Sequence, residues 1–202
     1  MPEHLYTIES TGRGFYKEKG SKFISLAYQV NDEYDIKEIL DELKKEYHDA
    51  RHHCYAWVLG ANGEKIRAND DGEPSNSAGK PILAQITSRG LTRVLVVVIR
   101  YFGGTLLGVG GLINAYKTAS REALENARIV KEYFYSVYEV KFGYPDMNKV
   151  MTVLKELNAE QFEQEFEISC NLKAKVKKSD KEKFESAFSP FPEIEIKLIR
   201  ED

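Results

Sequence analysis

The segment "DDGEPSNSAGKPIL" (residues 70–83) crowds the carboxylates of Asp70, Asp71 and Glu73 beside the hydroxyls of Ser75 and Ser77, the amide of Asn76 and the amine of Lys80. Carboxylates this close suit cation binding or general-base chemistry. Hydroxyls, a lysine and the unpaired N–H groups of a helix start suit an anion. The spacing decides against one familiar solution. A phosphate loop of the form G-x-x-x-x-G-K-[ST] is not met, because Gly72 and Gly79 stand too far apart and Pro81 follows Lys80 where the hydroxyl should be. What is left is an acidic turn running into a helix, with Ser77 as its expected N-cap and Pro81 in its first turn.

A second candidate is "RYFGGTLLGVGGLINAY" (residues 100–116), where Arg100 ends an apolar run and Gly103, Gly104, Gly108, Gly110 and Gly111 lead into a helical stretch. Strand, glycine loop and helix in that order present backbone amides to an anion. The G-x-G-x-x-G spacing is absent, as is an acid at the distance a ribose needs, so a dinucleotide site is not expected. In "ARHHCYAW" (residues 50–57) a strand would turn His53 and Cys54 to opposite faces and leave His52 and Cys54 on one. That supplies two soft ligands at most, without a second pair at zinc-finger spacing, so no metal site is assigned. His52 and His53 remain candidate proton shuttles beside the acids. There is no G-x-S-x-G, Ser75 and Ser77 have no base beside them, and Cys54 lies among apolar residues. No catalytic nucleophile is assigned and no cofactor is implied.

The elements that must position these residues follow from periodicity. "SKFISLAYQV", "HCYAWVLG" and "TRVLVVVIRYF" read as strands, and Asn62-Gly63 marks a hairpin turn. Ile36, Ile39, Leu40, Leu43 and Tyr47 share a helical face. Helices are also expected over "PILAQITSRG" and over the stretch after Gly108. Beyond residue 132 the order is strand, helix, strand, strand, helix, strand, the ferredoxin-like arrangement. Its second helix carries an expected capping box, Ser179 with Glu182. The fold class expected is α+β in two domains, residues 1–131 and 132–202.

Composition narrows the partners. Net charge over 202 residues is −3, which argues against a protein that grips nucleic acid by charge alone. Residues 1–131 hold 18 Lys and Arg against 17 Asp and Glu, and residues 132–202 hold 11 against 15, so an anion site belongs in the first part and must be local. Lys173, Lys175 and Lys177 alternate with apolar residues and read as one exposed sheet face, with nucleic-acid contact as its second reading. No RNP1-type aromatics accompany them. Two distant cysteines, Cys54 and Cys170, do not make a disulfide framework, which points to a reducing cytoplasm. The N-terminus lacks a signal-peptide pattern and no run is apolar for long enough to span a bilayer, so no membrane partner is expected. Nothing in the sequence sets an oligomeric state.

"KGSKF", "ARHHCYAW", "DDGEPSNSAGKPIL" and "RYFGGTLLGVGGLINAY", in this order over residues 19–116, resemble the YigZ/IMPACT family, and the tail resembles the second domain of its bacterial members. The resemblance implies a first domain like domain 2 of ribosomal protein S5. It implies a ferredoxin-like second domain similar to the last domain of a translocating elongation factor. It also implies translation-linked work. Eukaryotic relatives compete for an activator of a stress kinase, and bacterial members suggest RNA or ribosome-associated partners. Two positions depart from the family's pattern. Asn76-Ser77 stands where Gly-Thr is common, and Asn114 where a basic residue is common.

Two functional readings follow. In the first, a non-enzymatic regulatory protein binds RNA or a ribosome-associated protein through a cleft between the acidic and glycine loops. Its anion is held by backbone amides, Lys80 and Arg100, with Asp70, Asp71 and Glu73 at the rim. In the second, an enzyme acts on a small phosphorylated or nucleotide substrate. There Asp70, Asp71 or Glu73 holds a metal or serves as base, and His52 or His53 moves protons.

Overall fold

Val94–Tyr101 (β6), apolar in six consecutive positions, is the strand that two faces of core demand. It is central in a five-stranded antiparallel sheet of order β2-β3-β6-β4-β5, with β2 at Gly12–Glu18, β3 at Ser21–Gln29, β4 at His52–Leu59 and β5 at Lys65–Asn69. Alternation along the strands sorts the side chains. Val94, Val96 and Val98 join Cys54, Ala56, Phe23 and Ala27 in one buried cluster, and Leu95, Val97 and Ile99 join Leu26, Trp57 and Leu59 in another. Helix α1 (Glu33–Glu46) covers the second cluster with Ile36 and Leu43. Helices α2 (Gly79–Thr87) and α3 (Gly108–Glu125) cover the first. Arg100 continues the phase of Val98 and therefore points toward α2 and α3, inside the fold.

Helix α3 lies directly on β2. A Cβ at Gly12 would stand 1.9 Å from the Ala123 carbonyl oxygen, and Ala115, Ala119 and Ala123 are fully buried along that side of the helix. β2 itself, with two glycines and three charged residues in seven, lacks the apolar signature of a strand and was not expected from the sequence. Nor were His4–Ile8 (β1) and Ile129–Tyr133 (β7), which pair with each other in a short two-stranded sheet.

The structure is a computed structural model that describes residues 3–167 and 169–201. The chain divides into two compact units, Met1–Glu132 and Tyr133–Asp202. The second contains Tyr135–Gly143 (β8), Met147–Glu156 (α4), Glu160–Phe166 (β9), Ser169–Lys177 (β10), Lys181–Phe188 (α5) and Glu195–Glu201 (β11). Its antiparallel sheet has the order β11-β8-β10-β9, the ferredoxin-like arrangement. The expected Ser179–Glu182 capping box is corrected. A 3-10 turn over Lys178–Asp180 makes Asp180 the N-cap, with no side-chain capping bond, and leaves Glu182 too near the cap to close the box. The lysine face is also less available than alternation suggests. Lys173 pairs with Glu163, Lys175 lies 3.4 Å from Glu160, and the ammoniums of Lys175 and Lys177 stand 4.3 and 4.2 Å from the ring centres of Tyr135 and Tyr133. Among the described residues, no helix is long and apolar enough to cross a membrane.

Candidate functional site

The acidic loop begins by filling its own anion site. Asp70 Oδ1 accepts from the backbone N–H groups of Ala78 (3.0 Å) and Gly79 (2.8 Å), and Oδ2 accepts from that of Asn76 (2.8 Å). The amides at the start of α2, expected to be open to an external anion, already hold an internal carboxylate. Ser77 does not cap the helix, because its hydroxyl turns back and donates to the Pro74 carbonyl at 2.6 Å. Asn76 sits at φ +62, a left-handed conformation that asparagine tolerates better than most residues and glycine better still. Its departure from the family's glycine therefore leaves the turn intact.

Burial pushes the Asp70 carboxyl up, but the three backbone donors and nearby Lys80 outweigh it and hold its pKa below the ordinary 3.8. A carboxylate with a depressed folded pKa contributes stability that is complete above its unfolded pKa. That contribution is lost as pH falls through the folded pKa. Asp70→Ala is therefore expected to cost about 1–2 kcal/mol at neutral pH. The penalty should shrink as the pH drops below about 4. Urea unfolding followed by the fluorescence of Trp57, the single tryptophan, checks both. A penalty that is the same at pH 3 and pH 7 would contradict the assignment.

Glu73 is the inward acid. Its Oε1 accepts from Arg100 Nη1 (2.7 Å) and from the Tyr116 hydroxyl (2.7 Å). Tyr116 Oη lies 3.3 Å from the Cys54 sulfur, whose thiol donates to the Asp70 carbonyl at 3.0 Å. The Arg100 and Glu73 side chains are 7% and 4% exposed, so the pair is buried. Burial pushes the Cys54 thiol and the Tyr116 hydroxyl up, which keeps both protonated and leaves neither as a nucleophile. The Arg100 guanidinium stands 5.6 Å from the ring centre of Phe23 and 5.7 Å from that of Phe102. Among the described residues its only hydrogen-bond partner is Glu73, so Nε and Nη2 have no protein acceptor, and Nε is buried.

Above this pair is a cavity of about 410 Å³. Its lining joins Arg51, His52, Glu73, Pro74 and Arg100 to Phe102 and to the chain entering α3, Leu106 to Val109 with Leu112. Leu106 is 82% exposed, and Phe102 and Val109 are about half exposed, so the rim is apolar and open. Helix α3 starts at this rim with no side-chain cap and no acid in its first turn. By contrast, Asp32 caps α1 through Tyr34 and Asp35, and Asp70 fills the start of α2.

Of the residues singled out in the sequence, His52, Glu73, Arg100 and Gly108 meet at this cavity. Lys80 is exposed and, like Ser75, Ser77 and Gly104, is not part of the lining. Gly103 serves a crossing of chain segments, because its Cβ would meet the Gly20 backbone. Gly111 lies against Leu107, whereas Gly104, Gly108 and Gly110 have open space around the Cβ position. His53 belongs to the opposite face of the sheet, in a second cavity under α1. There burial lowers its pKa against the pull of Asp71, whose Oδ2 accepts from the His53 backbone N–H at 2.6 Å. His52 Nδ1 lies 2.8 Å from the Asp71 carbonyl oxygen. The two histidines and three acids therefore do not converge, and among the described residues no group of three metal-ligating side chains comes together. The sequence reading missed Tyr116, Phe102, Leu106 and Val109. For Tyr116 a signal existed, since it lies on the helical face of Leu112, Ala119 and Ala123 and carries a hydroxyl into that apolar row.

Residues 19–124 match the Impact N-terminal domain. The chain is 35% identical over 156 residues to the IMPACT family member YvyE of Bacillus subtilis (strain 168), covering 77% of this chain and 72% of that one. It is 29% identical over 183 residues to the IMPACT family member YigZ of Escherichia coli (strain K12), covering 90% of each. A crystal structure of an hypothetical protein superposes with a TM-score of 0.70 at 27% identity over the full length of both chains. The domain match over half the chain and the relatives that run through both units agree: the chain belongs to the IMPACT family.

Proposed function

We propose that the chain is a translation-linked binding protein that takes an anionic group of its partner into the cavity above Arg100. Family membership supports the link to translation. The observation that carries the binding site is an arginine 6% exposed, whose buried Nε has no acceptor among the described residues, lining a cavity with an open apolar rim. A buried donor without an acceptor costs free energy unless something else completes it. The centre of the cleft is thus Arg100 with the start of α3, in place of Lys80 with the start of α2. Against the enzymatic reading stands the use already made of each group. Asp70 fills α2, Glu73 balances Arg100, and His52 and His53 serve opposite faces of the sheet.

Crosslinking in growing cells tests this. A photoreactive amino acid at position 106, on the rim, is compared with one at position 37, on α1. Adducts from position 106 should be enriched in ribosomal, RNA or translation-factor species relative to position 37. Equal yields and the same species from both positions would overturn the proposal.

A further inference from the structure

Resting on that reading, we propose that the occupant of the cavity is the C-terminal carboxylate of a protein chain ending in an aliphatic residue. Two independent features point to a carboxylate. Arg100, 6% exposed and a lining residue of the cavity, has no protein acceptor for its buried Nε or for Nη2 among the described residues, and helix α3 opens at the same cavity with no side-chain cap. A planar carboxylate can take two parallel bonds from a guanidinium, and a helix start favours negative charge. The starts of α1 and α2, in the same unit, are held by the chain's own carboxylates, Asp32 and Asp70.

The walls select the rest of the occupant. Leu106, Leu107, Val109 and Leu112 are aliphatic, and the aromatic rings in the lining are those of Phe102 and His52, the second with its Nδ1 2.8 Å from the Asp71 carbonyl oxygen. Single-stranded nucleic acid is held by runs of stacking aromatics and several cations along a backbone. Here the lining cations are Arg51 and Arg100, the second already balanced by Glu73. A single carboxylate beside an apolar body fits that charge better than a string of phosphates. A chain end carries its carboxylate and its last side chain on one Cα, so both fit a cavity of about 410 Å³. An internal acidic residue would also bring polar backbone groups against the aliphatic walls without partners. Capture of a chain terminus by backbone amides and one cation is a known mode of peptide recognition.

The test uses the full chain labelled with 15N. The probes are the acetylated peptide Gly-Ser-Gly-Ser-Leu with a free C-terminus, the same peptide as its C-terminal amide, the version ending in Asp-Gly amide, and hexauridylate. The readouts are the Arg100 Nε–H signal and the amides of Gly108 and Val109. The free acid should move these signals and bind at least about tenfold more tightly than either amidated peptide, the scale of one charge-assisted bond. A second variant keeps the outcome interpretable. Val109→Asp places an acid in the first turn of α3 at a half-exposed site, so the fold should be retained and the free acid should no longer bind. The inference is overturned if acid and amide bind equally, if no peptide moves the signals, or if Val109→Asp binds the free acid unchanged. Hexauridylate moving them where the peptides do not would likewise overturn it, while leaving the cavity a partner site. Failure of the crosslinking at position 106 would instead remove the proposed function itself.

Discussion

Glu73→Ala is expected to destabilise the first unit by about 3–5 kcal/mol, the cost of leaving a buried charge without its partner. The substitution strips Arg100 of its only hydrogen-bonded acceptor among the described residues and the Tyr116 hydroxyl of the carboxylate it donates to, at a place where both ionic side chains are under one-tenth exposed. Burial of the pair does not make it a source of stability in itself. Moving two charges out of water costs several kcal/mol per ion, and their attraction only repays this when the geometry is good. Arg100→Met combined with Glu73→Leu should therefore recover most of the loss, to within about 1–2 kcal/mol of the parent, because no charge is then left buried alone. Trp57 is buried in the sheet that carries Arg100, so its fluorescence during urea unfolding reports this unit. The claim fails if Glu73→Ala unfolds like the parent, or if the double variant is worse than the single one. Recovery of stability together with loss of partner binding would assign the pair to recognition.

Arg100 also shows what the sequence made legible. The apolar run from Val94 to Ile99 announces a strand buried on both faces, and the phase of that strand places Arg100 indoors. Placement of the arginine was thus readable, whereas its partner was not. Three acids lie in the loop at residues 70–83, and only the turn geometry sends Glu73 inward while Asp70 folds back onto α2. That geometry depends on positive φ at Asp71, Gly72 and Asn76, which composition hints at and cannot order. The alternation of "NLKAKVK" gave β10 and its faces, yet not the glutamates of β9 that meet its lysines, because cross-strand register is a property of pairing. Strands β1, β2 and β7 were unreadable for a related reason. They are short, or rich in glycine and charge, and their extended form is imposed by a neighbour rather than by their own residues.

The glycine run gives the sharpest separation between structure and binding. Gly103→Ala is expected to cost about 3 kcal/mol or more, because overpacking against backbone cannot be relieved by a side-chain rotation. Its Cβ would lie 1.9 Å from the Gly20 carbonyl carbon and 2.1 Å from the Ser21 nitrogen. The turn between β2 and β3 would have to move away from the end of β6, breaking the Gly103 N–H bond to Ser21 Oγ at 3.1 Å. Gly104→Ala meets no atom within 4 Å but must hold φ near +88. Its cost should be about 1 kcal/mol, a backbone term alone. Gly110→Ala has open space, a helical position and no positive φ, so it should stabilise α3 by about 0.5–1 kcal/mol. Urea midpoints of the three variants, again by Trp57, should fall in the order Gly110→Ala, parent, Gly104→Ala, Gly103→Ala. If Gly103→Ala matched Gly104→Ala, the close crossing of Gly103 over Gly20 would be wrong. The same Cβ positions bear on the cavity. A glycine kept for ligand approach needs open space at its Cβ position and a place in the lining, and in this run Gly108 has both, whereas Gly103 is closed by the Gly20 backbone and Gly104 and Gly110 are open but lie outside the lining.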